Sequence, residues 1–520
     1  MAINGKYGFI LCFVCIAGVI LTPDVQGTII RNNEKTVSAI VHSGASFSIY
    51  LTDAEEADKC VERGLAYNKT HEYDKALAEF DRAIALDPQA PSAYNCKSSV
   101  YISLEKYNLA LDNANTAIEL DSSWASPYNN RGTAYLFLDK NDLALADYNK
   151  SIELDSKIAL AYSNRGCVYL RKKMYSASLD DCNTAISLDP GLYLAYYNRG
   201  SVYFDQAEYS KAIPDLDKAI ELNPGYSSAY LTRGLAYYRI KDYDRAISDY
   251  DKSIALKPTS PAYFDRALAR AKKDQDDLAI MDYDQAIVLD PKDPDSYYNR
   301  ALAYDRKRDR DKAISDFSKF IDLSPQDPDG YYKRGYDYWR TGKYDLAIID
   351  FDKVISLDPE YSSAYLGRGM AYDDKKDFLK AIADYTKTIE LDPKGSSAYY
   401  NRGLTYDNTK DYYKAIADYS KFIELAPEDP DGYTRRAMDY KIKGDYDLAV
   451  ADYEKSISIN AKDPYVYNKR AALWVTMKDL KKAAADIKKV QALGGKPDPE
   501  VVKALKPASK SPKKPIKKRK

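Results

Sequence analysis

Apolar residues recur along most of this chain with a spacing that fits paired helices. The segments Cys60–Tyr67, Tyr196–Tyr203 and Tyr399–Tyr406 share one pattern, and equivalent segments follow one another every 34 residues. Repeats start at residues 57, 91, 125, 159, 193, 227, 260, 294, 328, 362, 396, 430 and 464, with a single interval of 33 residues. Each repeat carries two apolar faces of helical period. The pattern therefore predicts thirteen helix–turn–helix units between residue 57 and about residue 493.

Within each repeat, small and large side chains occupy fixed positions. Position 8 is Gly, Ser or Ala in all thirteen repeats, and position 20 is Ala except at Ser178. Position 11 is aromatic except at Arg270, and position 24 is usually Tyr or Phe, as in Phe80 and Tyr250. Small residues let two helices approach closely, and the rings fill the space beside them. One helix pair cannot bury its apolar face alone, so we expect neighbouring repeats to stack.

These positions resemble the signature of the tetratricopeptide repeat family from residue 57 to about residue 493. The resemblance implies an all-α fold, an α-solenoid in which about thirteen helix–turn–helix units form a right-handed superhelix. It also implies a concave groove lined by the first helix of each repeat, and a scaffold that binds polypeptide partners in that groove. The alternative function is a self-assembling spacer or scaffold of an envelope or membrane-associated complex.

A charged pair is predicted between the two helices of each repeat. Position 7 is Arg in twelve repeats and Lys97 in the other, and position 23 is Asp in eleven repeats, with Glu79 and Asn113 in the remaining two. Arg suits a carboxylate partner because its planar guanidinium donates two parallel hydrogen bonds. We interpret the pair as structural; the alternative is a ladder of arginines that binds a ligand.

Positions 2, 5, 6, 9, 12 and 13 commonly face the groove in this family. Asn is frequent at position 6, and an amide both donates to and accepts from a peptide backbone. The arrangement is similar to the asparagine ladder of the superhelix attached to O-linked N-acetylglucosamine transferase, although it is broken after the fifth repeat. The alternative is that Asn is merely common at this position. The five residues concerned are Asn130, Asn164, Asn198, Asn299 and Asn401.

An apolar and aromatic stripe occupies position 5 from Tyr197 onward and position 9 from Leu235 onward, and Trp339 joins it at position 12, whereas earlier repeats carry mostly polar residues there. An exposed stripe of this kind indicates an interaction site in repeats 6 to 12, and the alternative is packing between repeats or self-association. Recognition of chaperone tails by the family's carboxylate clamp is excluded, because position 5 is never Lys and position 9 is never Asn. The predicted partner-binding residues are Tyr298, Tyr332, Tyr336, Trp339, Met370, Tyr400 and Leu404.

Charge is distributed unevenly along the chain. The net charge is −1, but residues 503–520 hold nine Lys or Arg and no acidic residue, so the rest carries −10. An acidic body argues against nucleic acid as a partner and favours a protein or peptide. We expect residues 494–520 to form a disordered basic tail that makes at most weak contact with anionic surfaces such as lipid headgroups.

No catalytic or metal-binding pattern is present in the sequence. His42 and His71 are the only histidines, and phosphate-binding glycine loops, HExxH and GxSxG motifs are absent. The cysteines outside the N-terminal apolar run match no zinc spacing, and they are interpreted as small buried residues. We therefore predict a protein that is not an enzyme and needs no cofactor or metal.

The N-terminus has the composition of an export signal. The run Phe9–Leu21 contains thirteen apolar residues, fewer than the roughly twenty that cross a bilayer. Val25, Gln26 and Gly27 then offer a cleavage site. We expect residues 1–27 to direct export to the periplasm or the outside; the alternative is a membrane anchor that leaves the repeats outside the cytoplasm. Residues 28–56 are a linker or N-terminal segment, in which Thr52 and Glu55 form a capping box.

Overall fold

The computed structural model describes residues 53–506, which are divided into two compact units between Pro291 and Lys292. The predicted signal segment, most of the linker and the end of the tail lie outside the described residues. The first unit contains α1 (Asp53–Lys69), α2 (Tyr73–Leu86), α3 (Pro91–Ser103), α4 (Tyr107–Leu120), α5 (Ala125–Phe137), α6 (Asn141–Leu154), α7 (Ala159–Arg171), α8 (Tyr175–Leu188), α9 (Tyr193–Asp205), α10 (Tyr209–Leu222), α11 (Ser227–Arg239), α12 (Tyr243–Leu256), α13 (Ser260–Lys272) and α14 (Asp276–Leu289).

The second unit continues the same alternation. It contains α15 (Pro294–Arg306), α16 (Arg310–Leu323), α17 (Pro328–Arg340), α18 (Tyr344–Leu357), α19 (Ser362–Asp374), α20 (Phe378–Leu391), α21 (Ser396–Asn408), α22 (Tyr412–Leu425), α23 (Pro430–Lys443), α24 (Tyr446–Ile459), α25 (Pro464–Thr476), α26 (Leu480–Ala492) and α27 (Pro499–Leu505). Residues 53–506 contain no strand, and their first 26 helices form thirteen pairs. The all-α solenoid and its phase are thus confirmed.

Most helix pairs close around a small residue on the first helix and a ring on the second. A Cβ added to Gly132 would lie 2.9 Å from the Tyr148 ring, and one added to Gly234 would lie 2.8 Å from the Tyr250 ring. Both rings are fully buried. The small position 8 of the first helix therefore makes room for the aromatic position 24 of the second, as the pattern predicts.

The turn inside every repeat places its fifteenth residue in a left-handed backbone conformation. Glycine supplies it only at Gly342 and Gly444; elsewhere a residue with a side chain does, as at Arg308 with a φ of 63°. There the Arg308 N–H donates to the carbonyl of Asp305 at 2.8 Å, which closes the C-terminus of α15. The fold thus holds a long cationic side chain in a conformation that ordinarily favours glycine.

The predicted charged pair is confirmed in the repeats that carry both Arg and an acid. Arg131 donates from Nε and Nη2 to the two carboxylate oxygens of Asp147 at 2.8 and 2.7 Å. Arg63 and Glu79 form the equivalent pair in the first repeat at 2.9 Å. The other pairs are Arg165–Asp181, Arg199–Asp215, Arg233–Asp249, Arg266–Asp282, Arg300–Asp316, Arg334–Asp350, Arg368–Asp384, Arg402–Asp418, Arg436–Asp452 and Arg470–Asp486.

The pair also connects neighbouring repeats, which the sequence pattern did not indicate. Arg165 Nη1 donates to Asn149 of the preceding repeat at 2.7 Å, and Arg402 Nη1 donates to Thr386 at 2.9 Å. The second repeat is an exception to the predicted pairing: because Asn113 carries no charge, Lys97 pairs instead with Asp81 of the preceding repeat at 2.5 Å. One guanidinium therefore holds three helices together in most repeats.

First helices line one side of each stack. Within the first unit α5 contacts α7 as well as its partner α6, and within the second unit α17 contacts α19 as well as α18. The corresponding second helices, α6 with α8 and α18 with α20, make weaker contacts. Closer approach on one side bends a stack toward that side, so in each unit the first helices form the inner surface.

The predicted disordered tail is wrong at its beginning. Within residues 494–506 the helix α27 packs on the last repeat, where Val501 joins Ala471 and Ile487 in a buried cluster. Val501 and Val502 give this segment enough apolar surface to cover the end of the stack. Residues 507–520 lie outside the described residues.

The described cysteines are free thiols, and all four are buried: Cys60, Cys96, Cys167 and Cys182. The interpretation of these residues as small core side chains is confirmed. None of the helices between residues 53 and 506 combines the length and apolar character needed to cross a membrane.

Candidate functional site

A row of aromatic rings lies on the inner surface of the second unit, on and beside α17. The ring of Tyr336 lies 5.2 Å from that of Trp339 and 6.3 Å from that of Tyr332, and Tyr332 in turn lies 5.3 Å from Tyr361. Trp339 Nε1 donates to Asp374 of the next first helix at 2.7 Å. The rings are only partly buried, so the row is held in place and still presents its surface to solvent.

The other predicted apolar residues of the second unit flank this row. Tyr298 lies 5.0 Å from Phe320, and Tyr400 lies 5.0 Å from Phe422. Burial raises the pKa of both tyrosines, so both carry neutral hydroxyls at neutral pH. The two remaining members of the predicted set are partly buried as well: Met370 and Leu404.

The same stripe is buried in the first unit. Tyr197, Leu231 and Leu235 are 0, 5 and 2 % exposed, and they belong to one core cluster with Tyr226 and Tyr250. The predicted exposed surface is therefore wrong at these three positions, where the alternative of packing between repeats is correct. Larger side chains on the neighbouring helices cover them, a feature that repeat phase alone does not indicate.

The predicted asparagines have two kinds of environment. Asn130 donates to Asn95 Oδ1 at 2.8 Å, and the buried Asn198 donates to the carbonyl of Ser163 at 3.0 Å, so these amides join successive first helices. Asn164 likewise donates to Asn129 at 3.1 Å. In the second unit, Asn299 donates to the carbonyl of Asp295 within its own helix at 2.8 Å, and Asn401 is partly buried. Their role in peptide binding stays a prediction.

A depression of about 610 Å³ lies at the end of the aromatic row, between the C-termini of α15 and α17. Its aromatic wall is formed by Tyr336 and Trp339. Arg340 Cζ lies 4.6 Å from the centre of the Tyr336 ring, within the range of a cation–π contact. The remaining lining residues are charged: Asp305, Arg306, Arg308 and Arg310.

A buried carboxyl group lies directly behind this depression. Asp337 is 2 % exposed, and its Oδ2 has no hydrogen-bond donor among residues 53–506. Burial, the charge of Asp305 and a hydrogen bond between the two carboxyl groups raise the pKa of Asp337 to about 7, against the opposing effect of Arg310 and Arg340. Asp337 therefore holds a proton below about pH 7, because a second negative charge beside Asp305 is unfavourable in a buried environment.

Three repeats further along, a second carboxyl pair has the same positions. Asp439 on α23 is 2 % exposed, and burial together with the charge of Asp407 raises its pKa to about 8. Asp407 accepts from the Tyr419 hydroxyl at 2.6 Å, and the charge of Arg435 faces the pair. This second pair is distinguished from the first by the absence of the arginines that line the depression.

Sequence reasoning missed the charged half of this site. Position 10 is small or aliphatic in most repeats, as at Ala303 and Ala371, so an acid there, as at Asp337, departs from the pattern. This exception to the repeat pattern was a feature of the sequence from which the acidic residue of the site could have been recognised. The described residues include no group of three or more His, Cys, Asp or Glu side chains arranged to hold a metal ion.

Comparison with family models places the repeats in one family. Models described as tetratricopeptide repeat match residues 61–125, 197–261 and 332–396, residues 396–429, and residues 125–158, 159–192, 294–327 and 430–463. A model described as TPR repeat matches residues 267–307. No curated protein sequence matches the chain.

Solved structures with similar folds are distant in sequence. The C-terminal part of a TPR repeat-containing protein from Cytophaga hutchinsonii is 25% identical over 45% of this chain and 97% of its own, with a TM-score of 0.41. YrrB, titled a TPR protein with an unusual peptide-binding site, is 28% identical over 38% of this chain and 97% of its own, with a TM-score of 0.29. The Cut9–Hcn1 structure is 14% identical over 87% of this chain and 96% of its own, with a TM-score of 0.37.

Proposed function

The chain belongs to the tetratricopeptide repeat family, and from that premise we propose that it is a non-catalytic scaffold that binds a polypeptide on the inner surface of its second unit. Solenoids of this family generally serve as protein-interaction scaffolds. The observation that carries the proposal is the row of partly exposed rings formed by Tyr332, Tyr336 and Trp339.

Physical reasons support this row as the contact surface. Tyr and Trp offer a large apolar area and lose little conformational freedom on binding, which makes them frequent energetic centres of interfaces. The hydrogen bond from Trp339 to Asp374 fixes the indole before a partner arrives, and the Tyr336 ring packs against it. A rigid surface loses less conformational entropy on association than a mobile one.

Selection from a random peptide library, with the full chain immobilised, tests the proposal. We expect selected peptides to bind in solution, as measured by fluorescence anisotropy of labelled peptide. Replacing Tyr336 and Trp339 together by Ala removes the two central rings, and we expect the Kd to rise at least about tenfold, the equivalent of about 1.4 kcal/mol. Circular dichroism and a thermal melt check that the variant is folded.

A matched control uses the opposite face of the same unit. Leu379 and Tyr413, on second helices, are 82 and 72 % exposed, and their replacement by Ala removes comparable apolar area. We expect this variant to bind as the parent does. A chain that selects no peptide and elutes as an oligomer in light scattering would instead favour the self-assembling scaffold.

We also propose that the protein is exported. The support lies in the sequence of residues 1–27, where the thirteen-residue apolar run and the short residues after it match a secretion signal. N-terminal sequencing of the protein from its native source tests the proposal. A mature chain that begins near residue 28 is expected, and an intact Met1 in a soluble intracellular fraction would contradict it.

A further inference from the structure

We propose that the depression between α15 and α17 binds an acidic segment of the polypeptide partner, with side-chain carboxylates as the recognised groups. The proposal rests on the proposed function and specifies the chemistry of its partner. The depression joins the aromatic row directly, because Tyr336 and Trp339 belong to both. A bound polypeptide that covers the rings therefore also covers the arginines.

Two of the arginines are held in place before any partner binds. Arg310 and Arg340 each extend a guanidinium toward Asp305, with Nη1 at 3.4 and 3.2 Å from its Oδ1. Arg340 also lies against the Tyr336 ring. A guanidinium that is already positioned loses little freedom when a carboxylate arrives, and its planar fork matches the carboxylate geometry.

The other two arginines lie at the exposed rim of the depression. Arg306 and Arg308 are exposed, and the left-handed turn at Arg308 places both side chains beside the C-terminus of α15. The lining thus contains four guanidinium groups and the single carboxylate of Asp305. Below about pH 7 the buried Asp337 is protonated and adds no second negative charge.

The depression carries a positive charge, whereas the rest of the chain before the basic tail carries a net negative charge. Residues 1–502 carry a net charge of −10, so an acidic partner is repelled by most of the surface and attracted to this depression. Charge complementarity of this kind selects partners and sets their orientation. The basic segment that follows residue 506 has the wrong charge to occupy it.

The volume and the walls define the shape of the bound segment. About 610 Å³ accommodates a few side chains, in the range of ordinary ligand sites. The aromatic wall packs with an apolar or aromatic side chain, and the arginines bind the carboxylates beside it. The segment we infer therefore alternates acidic residues with aromatic or aliphatic ones.

The test uses fluorescein-labelled copolymers of Glu with Tyr and of Lys with Tyr, titrated with the full chain in low salt. We expect the Glu–Tyr polymer to bind and the Lys–Tyr polymer to bind at least about tenfold more weakly. The test variant combines Arg308→Gly with Arg340→Gln. Glycine already occupies the position of Arg308 at Gly342 and Gly444, so the turn keeps its conformation.

The control variant combines Lys150→Gln with Lys218→Gln on the first unit, which removes the same charge from exposed pairs with Glu153 and Glu221. We expect the arginine variant to weaken Glu–Tyr binding at least about tenfold and the lysine control to leave it within about twofold. Equal losses in both variants, or no loss in the arginine variant, would overturn the acidic-segment proposal.

The random-peptide selection separates this proposal from the proposed function. If peptides bind through the aromatic row but lack acidic residues, the function stands and the acidic specificity fails. If no peptide binds, the proposed function itself fails. An oligonucleotide that binds the depression more tightly than the Glu–Tyr polymer would overturn the assignment of a polypeptide carboxylate as its ligand.

Discussion

Asp337 on α17 lies buried against Asp305 on α15, and burial together with the charge of Asp305 raises the pKa of Asp337 to about 7. The pair joins the first helices of two adjacent repeats, and Asp305 also lines the arginine-rich depression. Arg310 and Arg340 contact Asp305 from the solvent side. The protonation state of one interior group is thereby linked both to repeat packing and to the charge of the proposed binding surface.

This pair predicts that stability falls as the pH rises. In the unfolded chain Asp337 ionises near its ordinary pKa of 3.8, whereas in the folded chain its pKa is about 7. Between these values the folded state holds a proton that the unfolded state releases, so the free energy of unfolding falls by up to about 1.4 kcal/mol per pH unit. The fall ends above about pH 7.

Replacement of Asp337 by Asn tests this dependence, because the amide donates to Asp305 without ionising. Urea unfolding of parent and variant from pH 4 to pH 8 is expected to show the variant gaining relative stability as the pH rises. Asp439→Asn serves as the parallel case at the second pair, where the window extends to about pH 8. A stability difference that is independent of pH would contradict the raised pKa of Asp337.

The same group is expected to control anion binding. Ionisation of Asp337 adds negative charge behind the arginines, so the affinity for the Glu–Tyr copolymer should fall as the pH rises through about 7. Asp305, Arg310 and Arg340 are the charged groups that face it. The Asp337→Asn variant should keep its affinity over that range, and anisotropy titrations at several pH values compare the two.

Substitutions at Gly330 and Phe320 are expected to have strongly coupled effects on the free energy of unfolding. A Cβ on Gly330 would clash with the Phe320 ring, which occupies a position that is Ala286 in the preceding repeat. We expect Gly330→Ala to cost about 1–3 kcal/mol in urea unfolding, and Phe320→Ala to recover part of that loss when the two are combined. Purely additive costs would show that the ring does not fill the space left by the glycine.

Arg334 is expected to be a large contributor to stability. Its guanidinium donates to Asp350 at 2.9 and 2.8 Å and to Ser318 of the preceding repeat at 3.0 Å. Arg334→Met leaves the buried Asp350 without its partner, a change that typically costs about 3–5 kcal/mol. The control Lys312→Met disrupts an exposed pair with Asp309 and should cost less than about 1 kcal/mol. Similar costs for both would contradict a structural role for the interhelical pair.

The sequence predicts those features of the fold and of the candidate site that recur from repeat to repeat. Pairs equivalent to Gly132 with Tyr148 and to Arg131 with Asp147 recur in most repeats, so their periodicity predicts both the fold and the charged pairing from the sequence alone. The burial of Tyr197 was not predictable, because it depends on the side chains that neighbouring helices place over it.

The charged residues of the candidate site differ from the repeat pattern, and a periodic pattern does not reveal such exceptions. Asp337 and Asp439 stand where the other repeats have Ala, Val, Thr or Leu, and Arg308 stands in a turn whose left-handed backbone the sequence pattern does not show. Their proximity comes from stacking of one repeat on the next. Contacts between repeats can therefore be identified only from a structure, whereas contacts within one repeat can be predicted from the sequence.

The fluorescence of Trp339 tests polypeptide binding at the aromatic row most directly. The chain has three tryptophans, so Trp124→Phe combined with Trp474→Phe leaves Trp339 as the only indole. A non-fluorescent peptide from the random selection is titrated into this variant, and binding is measured in parallel by calorimetry. We predict that the Trp339 emission shifts with the same Kd as the calorimetric titration. Saturable binding in the calorimeter with unchanged Trp339 emission would contradict the assignment of the partner to this surface.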